Sequence, residues 1–179
     1  AMPAPPGPAA EPLARPPYDK NGTWVLERPC PDCGFDPAAH PRERIGAEIR
    51  RLAATYRRLL ADGRVAERPS PEVWSALEYG CHVRDVFRLF RERLALMITE
   101  DDPTFANWDQ DVTAIEERYW AQDPTKVGYD LAVAAGKLAD DFDRVGGDQW
   151  ARVGLRSDGS RFTVESFGAY LLHDPIHHV

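Results

Sequence analysis

The chain has 179 residues, 43% of them hydrophobic, and a formal net charge of −7. That length supports one domain with a real core. The acidic balance and the lack of a basic stripe argue against a nucleic-acid partner, which needs clustered Lys and Arg to release counterions, and no apolar run approaches a membrane span.

Residues 1–22 are rich in Ala and Pro and poor in apolar bulk, so they are expected to form a disordered tail. They lack the apolar core of a secretory signal, which makes the cytoplasm the expected location. The odd number of cysteines (Cys30, Cys33 and Cys81) fits a reducing compartment better than a disulfide framework.

A short segment over 23–39 follows, carrying Cys30-Pro31-Asp32-Cys33-Gly34. This resembles the metal-binding knuckle of rubredoxins and zinc ribbons. A four-thiolate site needs two such knuckles, and the chain has one. Four readings stay open: a reduced turn without metal, an incomplete or composite zinc site, a redox pair, or a site shared with another subunit. His40 and Cys81 are the expected extra ligands.

The main body, residues 40–179, reads as helices. The first spans about 41–62, with Ile45, Ile49, Leu52, Tyr56, Leu59 and Leu60 at spacings of three and four. The second is expected from a Ser70 cap and Pro71 to about Thr99. Apolar faces on these two helices would serve a homodimer as well as an intramolecular core. Residues 101–122 form a long connection with a short helix over about 112–120. Loops of this length are often functional. Its Asn107, Trp108, Asp109 and Asp111 are candidate substrate-side groups, although Asp109 or Asp111 also suits a helix cap. Asp123-Pro124 opens the third long helix, which Gly146-Gly147 stops. Residues 153–162 read as a small hairpin. Thr163 caps the last helix, where Pro175 predicts a kink.

Two stretches carry the chemistry. His173 and His177 lie four apart on the last helix and share a face that can hold a divalent metal. His82, on the second helix, is the candidate third ligand. Three imidazoles with remaining positions open to water make a reactive centre rather than a closed structural one. Glu78 and Asp85 flank His82 on one helical strip and are the candidate catalytic carboxylates. His178 faces another way and is expected at the surface.

Trp74-Ser75-Ala76-Leu77-Glu78-Tyr79-Gly80-Cys81-His82, followed by His173-Asp174-Pro175-Ile176-His177, resembles the DinB-like superfamily over roughly residues 40–179. The resemblance implies an all-α four-helix bundle of up-up-down-down type, with a divalent metal (zinc, nickel or iron) held by His82, His173 and His177. It also implies chemistry. The family includes mycothiol- and bacillithiol-dependent S-transferases and a maleylpyruvate isomerase, in which the metal favours the thiolate of a low-molecular-weight thiol. The leading expectation is a thiol-dependent S-transferase or isomerase acting on a small electrophile. The alternatives are a hydrolase that uses metal-activated water and a non-catalytic metal- or ligand-binding stress protein.

Overall fold

A computed structural model describes residues 23–178; the tail expected over 1–22 lies outside the described residues. Helices dominate. The elements in order are α1 (Ile45–Leu60), α2 (Ala76–Thr99), the short α3 (Gln110–Glu116), α4 (Pro124–Asp143), the strands β1 (Val153–Leu155) and β2 (Arg161–Thr163), and α5 (Val164–His177). Single 3₁₀ turns fill the joints, among them Thr23–Leu26, Pro37–Ala39 and Arg42–Arg44.

α1, α2, α4 and α5 form a four-helix bundle. On α1 the buried residues Ile45, Ile49, Leu52, Tyr56 and Leu60 recur at three and four, and this stripe turns inward. Leu131, Leu138 and Phe142 of α4 are buried with it, as are Phe87, Phe90 and Leu94 of α2. Burying each such side chain contributes about 1.5–3 kcal/mol. The apolar faces of α1 and α2 are thus used within the chain. Gly168 lets α5 approach closely: a Cβ there would sit 2.5 Å from Cδ1 of Ile45.

The long helices start where the chain supplies caps. Asp123 accepts from the Thr125 N–H ahead of Pro124, and Thr163 accepts from the Ser166 N–H. One expected start is corrected. Residues 70–73 make a turn, and α2 begins at Ala76 with Ser75 as its cap. Ser75 accepts from the Glu78 N–H while Glu78 accepts from the Ser75 N–H, a reciprocal capping box. The short helix also starts earlier than expected, because Asp109 caps it through the Asp111 and Val112 N–H groups.

β1 and β2 pair antiparallel, Gly154 opposite Phe162, and bring the chain to the start of α5. α5 continues through Pro175 to His177. Proline removes the N–H that would reach the Leu171 carbonyl. The Pro175 carbonyl accepts from the buried Tyr56 hydroxyl at 2.8 Å, which ties the end of α5 to α1.

Candidate metal centre

The histidine-bearing end of α5 faces α2 on one side and the segment over 23–40 on the other. Successive helix residues point about 100° apart. His173 and His177 therefore occupy one strip, and Asp174 and His178 the next. The two strips meet different partners.

The first cluster joins Asp174 and His178 to His82, with one donor atom from each residue within 4.8 Å of the others. His82 is 1% exposed. Its Nε2 lies 2.9 Å from Oδ2 of Asp174, and Nε2 of His178 lies 3.3 Å from Oδ1. Burial opposes ionisation of Asp174, but the two imidazoles outweigh it and hold this carboxyl well below the usual carboxylate range. Nδ1 of His82 is buried without a hydrogen-bond partner among the described residues. The ring is fixed by packing: Trp108 stacks on it at 5.7 Å and 4°, and Trp74 contacts it at 5.6 Å. Tyr79 stacks on His178 at 4.7 Å.

The second cluster joins His173 and His177 to Cys30 and Cys33, again with donor atoms within 4.8 Å of one another. Sγ of Cys30 lies 3.7 Å from Nδ1 of His177. Trp24 and Phe35 pack edge-on against His173, at 6.0 and 5.5 Å. Burial pushes the Cys33 thiol up, the Phe35 N–H opposes that shift, and the neighbouring Cys30 adds to it.

The three imidazoles expected to share one ion are thus divided between the clusters, because consecutive strips of α5 face different neighbours. The expected extra ligands of the cysteines also lie elsewhere. His40 stacks on Phe35 and approaches Glu48 at 3.8 Å. Cys81 is a core thiol that donates to the Tyr119 carbonyl, and burial pushes it up to about 12.

A cavity of about 980 Å³ opens over the first cluster and reaches His173 and His177 of the second. His82, Asp174 and His178 line it, as do Asn107, Trp108 and Gln110 from the long connection. Trp108 is anchored by its indole N–H, which donates to the Thr113 hydroxyl at 2.9 Å. Asp109 and Asp111 are not on the cavity wall; Asp109 is exposed and occupied in capping α3.

The candidate catalytic carboxylates are also placed off the wall. Glu78 accepts two hydrogen bonds from the Arg68 guanidinium at 2.6 and 2.7 Å, on top of its capping role. Asp85 is held by Arg84 and by the Tyr119 hydroxyl. Glu78 is spoken for by the Ser75-x-x-Glu78 pattern itself, which is readable from the sequence.

Sequence reasoning missed the three arginines on the wall, Arg28, Arg93 and Arg156. Arg93 is 9% exposed, donates to the Ala106 carbonyl at 3.0 Å and lies over the Phe105 ring. Burial lowers its pKa, and the like charge of Arg156 lowers it further. Arg156 is held by Asp158 and by the Tyr170 hydroxyl, itself on the wall. For Arg93 the sequence signal is its place within the apolar stripe of α2.

The first cluster fits a divalent ion. A tetrahedral zinc site with N and O ligands near 2.0–2.2 Å has ligand–ligand edges of about 3.3 Å, close to the separations that Asp174 makes with the two imidazoles. Two imidazoles and a carboxylate are a common donor set for a centre that keeps a position open.

A sequence model of the DinB superfamily matches residues 47–179. Comparison with curated proteins finds no match. The fold is similar to that of YfiT from Bacillus subtilis, described as a probable metal-dependent hydrolase with an unusual four-helix bundle topology. The TM-score is 0.68 at 17% identity, over 76% of this chain and 81% of that one. No described helix is long and apolar enough to cross a membrane. With a family match over most of its length and a four-helix bundle to go with it, the chain belongs to the DinB superfamily.

Proposed function

We propose that this protein is a metal-dependent enzyme that brings a low-molecular-weight thiol and a small anionic electrophile together above His82, Asp174 and His178. The observation that carries the reading is the three-donor cluster on the wall of a cavity that also presents Arg93 and Arg156.

A divalent ion at this cluster supplies Lewis acidity and favours the thiolate form of a thiol. The protein supplies the rest. Trp108 and Trp74 hold the His82 ring in place and keep water from its faces. Arg93 and Arg156 orient an anionic group, because a desolvated guanidinium gains most from a carboxylate or similar anion. Asn107 and Gln110 offer polar contacts on the side of the long connection. The volume, about 980 Å³, is at the upper end for a single small-molecule site and leaves room for a thiol beside its substrate.

A second reading is hydrolysis by metal-activated water without any thiol, in line with the description of YfiT. The test is loss of a carboxylate-bearing electrophile by the zinc- or nickel-loaded protein, with and without added mycothiol or a simpler thiol. Turnover that needs the thiol and disappears in His82→Ala supports the first reading. Turnover that ignores the thiol moves the assignment to hydrolysis. Full turnover in His82→Ala removes the centre from the chemistry.

A further inference from the structure

We propose that Cys30, Cys33, His173 and His177 form a second, closed metal site, which takes zinc and fastens the segment over 23–40 to the end of α5. It is independent of the activity proposed above. Four side chains offer two sulfur and two nitrogen donors within 4.8 Å of one another. Two thiolates and two neutral imidazoles balance the charge of a divalent ion and fill a tetrahedron, the arrangement of structural zinc. With Zn–S near 2.3 Å and Zn–N near 2.0 Å, the S···N edge of such a tetrahedron is about 3.5 Å; Sγ of Cys30 and Nδ1 of His177 are 3.7 Å apart.

The backbone supplies a second, independent observation. Gly34 has φ +75°, a conformation that favours glycine. It lets the Gly34 N–H reach the Cys30 carbonyl at 2.8 Å, while the Cys30 N–H donates to the Phe35 carbonyl at 2.7 Å. The tight turn holds the two cysteine sulfurs close together, and His173 and His177 complete the set without a second knuckle.

The placement gives the site a purpose. Cys30 and His177 are 147 residues apart in sequence. Linking them closes nearly the whole described chain into a loop. The same segment contributes Trp24, Arg28, Pro29 and Asp32 to the cavity wall. The closed site would therefore hold in place one wall of the cavity over the open cluster.

The test uses the full chain, stripped of metal and reloaded with Co²⁺ or Zn²⁺. The Co²⁺ protein is expected to show a sulfur-to-cobalt charge-transfer band and intense tetrahedral visible bands. His82→Ala should keep the sulfur band, and Cys33→Ser should abolish it. Alkylation of Cys30 and Cys33 should slow by at least about tenfold when Zn²⁺ is added, and amide exchange over 23–40 should slow with it. A Co²⁺ protein without a sulfur band would overturn the proposal. So would Zn²⁺-independent alkylation, or a Cys30–Cys33 disulfide that survives reduction and metal addition. The wild-type spectrum and alkylation rates decide the matter even where Cys33→Ser fails to fold.

Discussion

Residues 173 and 177, and residues 174 and 178, repeat one spacing on one helix and line the same cavity, yet they meet different partners. The first pair turns to two cysteines and completes a set of four donors. The second pair turns to one buried histidine and forms a set of three beside a large cavity. An i, i+4 pair makes two donors available on a face. Whether the result is a closed or an open centre depends on what the rest of the chain brings to that face. Here the N-terminal knuckle brings two thiols to one pair and α2 brings a single imidazole to the other.

Several changes would sharpen or break this contrast. The largest effect is expected from Cys33→Ser. Losing a metal that closes so long a loop should cost about 4 kcal/mol of unfolding free energy in zinc, by analogy with a cross-link closing a loop of comparable size. Urea unfolding with and without zinc measures it, and an unchanged midpoint would mean that the cysteines do not anchor the fold. Glu78→Gln comes next. It weakens the buried pair with Arg68 and the capping box, so a loss of about 3 kcal/mol is expected, with bound metal and turnover per folded molecule unchanged. A selective fall in turnover would instead return Glu78 to the chemistry.

His82→Ala should lower turnover by more than about 100-fold by emptying the open centre, while the sulfur–cobalt band stays. Loss of both signals together would merge the two clusters into one. Arg93→Gln should raise KM for an anionic substrate by about tenfold and leave that for a neutral analogue nearly unchanged, because a charge-assisted hydrogen bond contributes about 1.5–3 kcal/mol. Equal changes for both substrates would deny Arg93 a role in recognising charge. The smallest effect belongs to Cys81→Ala, about 1 kcal/mol from a small core void. Cys81 neighbours His82 in sequence but lies in the apolar core, so metal content should not move.

Much of the bundle is legible in the sequence because it rests on local rules. The stripe from Ile45 to Leu60, the Asp123-Pro124 start, the Thr163 cap and the hairpin before it all follow from spacing and capping within a few residues. The start of α2 shows how such rules compete. Ser70-Pro71 and Ser75-x-x-Glu78 are both start signals, and the second wins because it satisfies two backbone N–H groups reciprocally. That outcome also decides what Glu78 does.

The site was legible only in its parts. Each histidine is visible as a donor, and Asp174 with His178 has the same spacing as His173 with His177. Which strip faces α2 depends on how α5 is rotated in the bundle, and a helical period carries no such information. The partners of Cys30 lie more than 140 residues away, beyond any local pattern. Arg93 reads as a surface charge until the turn at Ala106 and the Phe105 ring enclose it.

Metal content per chain, measured on the zinc-loaded wild type, His82→Ala, His173→Ala and Cys33→Ser side by side, tests the division of α5 most directly. About two ions in the wild type and about one in each variant are expected, since each variant removes a ligand from one cluster only. About one ion in the wild type, lost alike in His82→Ala and His173→Ala, would mean a single shared centre and would contradict the account.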